Sequence, residues 1–309
     1  NLLVINENLH LLQPRTSSIE EITNILPDYI NARTAKVGWF YSPAFMPLLS
    51  HFRFETIVYD CMDELTLFRG ADNKLPQQEK HLLANADVIF TGGKSLFESK
   101  NKLHHNVHCF PSSVDEQHFA QALNGIEVPR DISRIRAPIA GYFGVIDERI
   151  DFPLLEATAR LNPGVSFVMI GPLAKVGEAD LPRLDNIHYL GMKPYGLLPN
   201  YLKAFSVAIM PFAINDATRF ISPTKTLEYM AAGKPVISTP VKDVVRDYSH
   251  CVSIVASPAE FSGALRDALR QSPSSVTPAY KKILGNTSWD GTVEKMHALL
   301  SVKVPYEGV

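Results

Sequence analysis

The segment Phe220–Thr239, FISPTKTLEYMAAGKPVIST, constrains the fold of this chain more than any other stretch. The run before it, VAIMPF (207–212), is apolar throughout and has the length of a parallel strand buried on both faces. Ser222 offers an N-cap hydroxyl, and Pro223 suits the first helical position, where a missing N–H costs nothing. A helix is expected to run on through Thr224, Lys225, Glu228 and Ala232, closed by Gly233 as its left-handed C′ residue. Pro235 then opens the strand VIST, so the segment reads strand, loop, helix, strand. Lys225 falls in the first turn, beside free backbone N–H groups and the positive end of the helix dipole, a place for phosphate. Glu228 stands one turn on along the same face, about 4.5 Å further along the axis. A cation for a diphosphate and a carboxylate for vicinal hydroxyls together describe a nucleotide. A solvated Lys–Glu pair on an ordinary helix has the same spelling. The place of this pair, directly after a buried strand at the edge of a sheet where α/β folds bind ligands, favours the nucleotide.

The rest of the chain repeats this alternation. Short apolar runs at 2–5, 36–41, 56–61, 88–92 and 107–111 form one series, and runs at 139–144, 166–171, 187–191, 207–212, 235–238 and 252–256 a second. Amphipathic stretches such as QQEKHLLANA and PLLEATARL intervene. The expected fold class is α/β, with two parallel sheets covered by helices and a polar divide near 125–137. This predicts one domain over 1–130 and another over 131–288, with a last helix at 289–301 bearing a stripe of Val293, Met296 and Leu300 after the Pro- and Ser-rich 272–278. At 309 residues, 46% hydrophobic and 20% charged, the chain is long enough for two globular cores. Its net charge of -2 gives no basic field for nucleic acid. No apolar run has the length of a bilayer span, and three scattered cysteines make no disulfide framework or metal spacing. Asn1 opens on a strand in mid-stride, without a Gly-rich turn before it, and further sequence ahead of it is expected.

SPTKTLEYMAAGKPVIST (222–239) resembles the donor-site segment of GT-B glycosyltransferases, in particular the group-1 and teichuronic-acid-type transferases of bacterial polysaccharide synthesis. The resemblance implies two Rossmann-like, doubly wound domains facing across a cleft, the first N-terminally incomplete, with the last helix crossing back to it. It implies sugar transfer, from a UDP-sugar by preference, to a hydroxyl on a glycan or lipid-linked saccharide. Neither a metal nor any other cofactor is expected, and the setting is the cytoplasm, with a peripheral seat at the inner membrane face. Nucleotide-sugar 2-epimerases share this architecture, and a non-catalytic nucleotide-sugar binding subunit is the other alternative.

Further residues are assigned in the same way. Gly144 ends a strand before a loop with Arg149, the nearest cation for the diphosphate, whose alternative role is a salt bridge with Asp147 or Asp151. In YLGMKPYGLLPNYLKAF (189–205), Met192 and Lys193 would flank the nucleobase, and Tyr195 would either stack on it or cover the core. Arg219 is a second candidate for the diphosphate. Two departures stand out: Val145 holds the place of a family arginine, and Phe220 that of a sugar-binding glutamate eight residues before Glu228. In YDCMDEL (59–65), Asp60, Asp63 and Glu64 crowd a strand end, where like charges would raise each other's pKa. Asp63 is the expected general base for an inverting transfer and Asp60 the reserve; capping or ion pairing is the other reading. His104 and His108 are spaced like a metal pair on a helix, but a strand over 107–111 argues for a loop cluster.

Overall fold

Apolar runs of four to six residues give strands, and every expected run forms one in the computed structural model, which describes residues 2–30, 33–270 and 277–300. The chain divides into two units. The first comprises the described residues of Asn1–Gly92, Leu96–Phe110 and Leu299–Val309, and the second those of Gly93–Ser95 and Pro111–Ala298. The division falls at residue 110 rather than 130, because the helices over Glu116–Ala120 and Arg130–Ser133 pack on Leu198–Ala204 in the second unit. Most of the Pro- and Ser-rich stretch lies outside the described residues.

In the first unit, β1 (Leu2–Asn6) and β2 (Leu9–Leu12) form an antiparallel hairpin, with Leu2 to Ile5 all exposed. The run at 2–5 therefore joins no parallel sheet. An apolar strand pattern specifies a strand, not its partner, and here the chain turns back at once. Strands β3 (Thr34–Phe40), β4 (Arg53–Cys61), β5 (Val88–Thr91) and β6 (Val107–Cys109) make a wholly parallel sheet in that order. Its order never reverses, so among the described residues this sheet is wound in one direction only.

The second unit holds the main core. Its strands are β7 (Ile139–Phe143), β8 (Ser166–Ile170), β9 (Ile187–Tyr189), β10 (Val207–Met210), β11 (Val236–Ser238) and β12 (Ser253–Ile254), all parallel in the order β12-β11-β10-β7-β8-β9. Strands β7, β8, β10 and β11 are buried along their whole length, as continuous apolar runs covered on both faces must be. The order reverses between β7 and β10, and such a switch point opens a crevice at the carboxyl ends of the two strands. The terminal helix, Trp289–Leu300, has no buried residue, and Val293 is 60% exposed. Its apolar stripe therefore does not pack as expected. Over Trp289–Ala298 it groups with the second unit, where the Thr292 and Ser113 hydroxyls share a hydrogen bond of 2.9 Å.

Close packing leaves no room for a side chain at Gly141 in β7. A Cβ there would lie 2.2 Å from the ring of Phe205, itself 2% exposed. We predict that Gly141→Ala lowers stability by about 1–3 kcal/mol through overpacking, and that Phe205→Leu in the same chain recovers part of the loss. Denaturant melts of the two single variants and the double variant check this; additive losses would contradict it.

Candidate nucleotide site

Gly144 directly follows β7 and Gly171 directly follows β8, and both glycines carry φ angles closed to ordinary side chains, +138° and +150°. The reason is contact. A Cβ on Gly171 would sit 1.9 Å from the Gly144 carbonyl oxygen, and one on Gly144 would sit 2.2 Å from Lys225 Cε and 2.7 Å from Nζ. The ammonium of Lys225 thus lies in the space that the absent Gly144 side chain leaves, 5.7 Å above the ring centroid of Tyr142. The Tyr142 hydroxyl in turn donates to the Val145 carbonyl at 3.0 Å.

The helix that carries Lys225 runs from Lys225 to Ala231, shorter at its start than the sequence suggests. Ser222 does not cap it: Thr224 holds the N-cap position in helical geometry without a side-chain cap bond, and Pro223 precedes the helix. Ser222 instead packs on Gly93, a residue of the second unit, where a Cβ would meet the serine Cβ at 2.8 Å. The other end matches expectation. Gly233 is left-handed, at φ +65°, and the next N–H, of Lys234, returns to the Tyr229 carbonyl at 2.9 Å.

Glu228 stands one turn beyond Lys225 on this helix and is partly covered. Burial pushes its carboxyl up to about 7, while the charge of Lys225 pulls the other way. Arg149 lies in the loop after β7, where Nε reaches Asp147 Oδ1 at 2.9 Å and Nη2 reaches Oδ2 at 2.7 Å. Asp147 is only 4% exposed and also accepts the Arg149 backbone N–H at 3.0 Å, so the guanidinium is held in a fixed orientation. That loop is tied to the end of β10 by the Ile150–Phe212 bridge and by the Ala213 N–H donating to the Arg149 carbonyl at 2.8 Å. Gly144, Arg149, Lys225 and Glu228 therefore gather at the switch point.

The remaining assignments fare unevenly. Arg219 is exposed, its guanidinium 5.2 Å above the ring of its own neighbour Phe220. Lys193 is drawn away to Asp131 at 2.8 Å and lies over the Tyr201 ring, because a carboxylate distant in sequence outcompetes the loop's open side. Met192 is 74% exposed. Tyr195 does not cover the core: its ring is 56% exposed and stacks on His118, with centroids 4.5 Å apart and planes at 12°. Sequence reading gave no role to His118. Its ring neighbour Phe119 stacks on Phe143, which meets Tyr229 edge-on, so a ladder of rings joins Tyr195 to the helix of Glu228.

In the first unit the expected crowding of carboxylates is absent. Glu64 pairs with Lys100 at 2.8 Å, and Asp60 accepts the Trp39 indole N–H at 3.0 Å. Burial, not like charge, raises the Asp60 pKa. Asp63 is half-buried in the bend after β4. His104 faces the Ala86 carbonyl and His108 the Asn106 side chain. Among the described residues no three His, Cys, Asp or Glu side chains are grouped to hold a metal ion. Nor is any described helix long and apolar enough to cross a membrane.

A folded-state pKa above the unfolded value means that Glu228 favours the fold most when protonated. Its contribution is present below the ordinary glutamate range and is lost as pH rises through about 7. Glu228→Gln is therefore expected to match the wild type in stability near pH 4.5 and to exceed it by roughly 1–3 kcal/mol at pH 8. Thermal melts at the two pH values check this, and a wild type equal to the variant at pH 8 contradicts it.

Residues 137–271 match the family model of the group 1 glycosyl transferases. TuaH of Bacillus subtilis (strain 168), named as a teichuronic acid biosynthesis glycosyltransferase, is 26% identical over 218 residues, which cover 65% of this chain. The match spans 54% of TuaH, so the chain corresponds to about half the length of this relative. Among solved structures, sucrose-phosphate synthase from Thermosynechococcus elongatus superposes with a TM-score of 0.73 at 14% identity, over 96% of this chain and 84% of that one. Anabaena HepE in complex with UDP and glucose gives 0.68 at 12% identity, over 92% and 80%. The chain has the GT-B fold, and its residues 137–271 are similar to the group 1 glycosyl transferases.

Proposed function

We propose that the protein transfers a sugar from a UDP-sugar to a hydroxyl of a growing cell-envelope glycan. The observation that carries this reading is the packing of Lys225 against Gly144 at the switch point, with Glu228 one turn away. An ammonium seated where two strand ends leave bare backbone suits a diphosphate, whose charge grows as the sugar departs. Arg149, oriented by Asp147, adds a second cation, and Arg219 a third from the opposite loop. Together they stabilise the leaving nucleotide without a metal. Glu228 accepts the ribose hydroxyls, with Ser222 and Thr224 lining the approach. Met192 and the exposed face of Tyr195 receive the base.

Asp63 is the proposed base. The acceptor hydroxyl attacks the anomeric carbon, the bond from that carbon to the phosphate oxygen breaks, and the hydroxyl proton passes to the Asp63 carboxylate. Asp60 is less suited, because its carboxyl is buried and bonded to Trp39. Likeness to TuaH, named for teichuronic acid biosynthesis, supports a glycan acceptor; a saccharide carried on a lipid at the inner membrane face is the form we propose for it.

Thermal shift with UDP, GDP, CMP and dTDP tests the reading. UDP is expected to stabilise the wild type most, and Lys225→Ala and Glu228→Ala to weaken its binding by about 10- to 100-fold. If no nucleotide stabilises the wild type, or both variants respond as it does, the donor site is wrong. Asp63→Asn is expected to keep UDP binding while transfer falls by about 10²–10⁴-fold; unchanged turnover removes Asp63 from the reaction.

A further inference from the structure

One carboxylate beside this site has half of its hydrogen bonding undone. Glu148, on the loop after β7, accepts the Lys175 ammonium at Oε1 at 3.2 Å, while its Oε2 is enclosed and finds no hydrogen-bond partner among the described residues. An ionisable oxygen shut away from water without a donor is costly, and such a group calls for a specific cause.

The surroundings of Glu148 are built with care. Lys175 sits on the loop after β8 in the left-handed region, at φ +59°, which a residue with a side chain adopts only when its neighbours require it. They do so here: the Ala174 N–H donates to the Ile146 carbonyl at 3.1 Å, and Ile146 and Leu173 form a parallel bridge. From the loop after β10, Asn215 Nδ2 donates to the Glu148 carbonyl at 3.1 Å. Asn215 is itself fixed by reciprocal bonds with Thr218. Three loops, from the strands on either side of the switch point, thus converge on one carboxylate four residues beyond Gly144.

An unpartnered carboxylate oxygen takes a hydrogen-bond donor. On a UDP-sugar the phosphates offer only acceptors, the ribose hydroxyls are assigned to Glu228, and the uracil N3–H goes with the base to Met192 and Tyr195. The hexose hydroxyls remain. We propose that Glu148 is a sugar-positioning residue, whose Oε2 accepts a hydroxyl of the donor hexose while Lys175 holds the other oxygen. The Lys175 side chain is 40% exposed against 13% for Glu148. The inference rests on the UDP-sugar reading of the site.

Calorimetric titration tests it, with UDP and with the UDP conjugates of glucose, galactose, N-acetylglucosamine and glucuronic acid. At least one conjugate is expected to bind the wild type tenfold or more tightly than UDP. Glu148→Gln is expected to bind UDP within twofold of the wild type and to lose that sugar-dependent gain. Lys175→Gly, which relaxes the left-handed backbone as it removes the cation, is expected to reduce the gain severalfold with UDP affinity kept. A gain retained in both variants overturns the proposal, as does a wild type for which no conjugate exceeds UDP. A wild type that binds neither UDP nor any conjugate overturns the donor-site reading and this inference with it.

Discussion

The site depends on one steric fact, that no side chain stands at Gly144 or Gly171. The two strand ends come so close that a Cβ on Gly171 would strike the Gly144 carbonyl, and one on Gly144 would strike Lys225. Remove that approach and the ammonium has no seat, the loop after β7 no fixed course, and Arg149 no fixed start. The reversal of strand order between β7 and β10 supplies the crevice, and the glycines let backbone and cation line it.

Electrostatics then follows from burial. Asp147 is buried and would be costly alone, and its bidentate pair with Arg149 satisfies it and freezes a guanidinium at the rim. Among the described residues the cation of Lys225 offsets the burial of Glu228 in part, and its carboxyl is pushed up to about 7. A ligand that brings hydroxyl donors to Glu228 and negative charge to Lys225 satisfies both groups at once. Charged side chains set at a cost to the empty fold are a mark of binding sites.

How much of this the sequence reveals depends on how local each cause is. The unit from β10 to β11 was readable because its determinants are neighbours: an apolar run, a proline, a Lys–Glu spacing, and a glycine three residues past Met230. Gly233 does take the left-handed conformation. Ser222 does not cap the helix because its contact, Gly93, lies far back in the chain, where local sequence carries no sign of it. Lys193 is claimed by Asp131 for the same reason. The run at 2–5 was rightly a strand but wrongly a member of the sheet, since alternation and apolarity do not say which partner wins. Glu148 carried no signal at all: a glutamate in a loop is ordinary, and only the convergence of three loops makes its oxygen exceptional.

The central claim is that Lys225 and Glu228 hold the two ends of a nucleotide diphosphate at the switch point. A crystal structure of the protein with UDP tests it most directly. The account predicts diphosphate oxygens about 3 Å from Lys225 Nζ, beside the backbone of Gly144, with the ribose hydroxyls on the Glu228 carboxylate. A nucleotide bound elsewhere on the chain, or lying in this crevice with Lys225 and Glu228 out of contact, would contradict it.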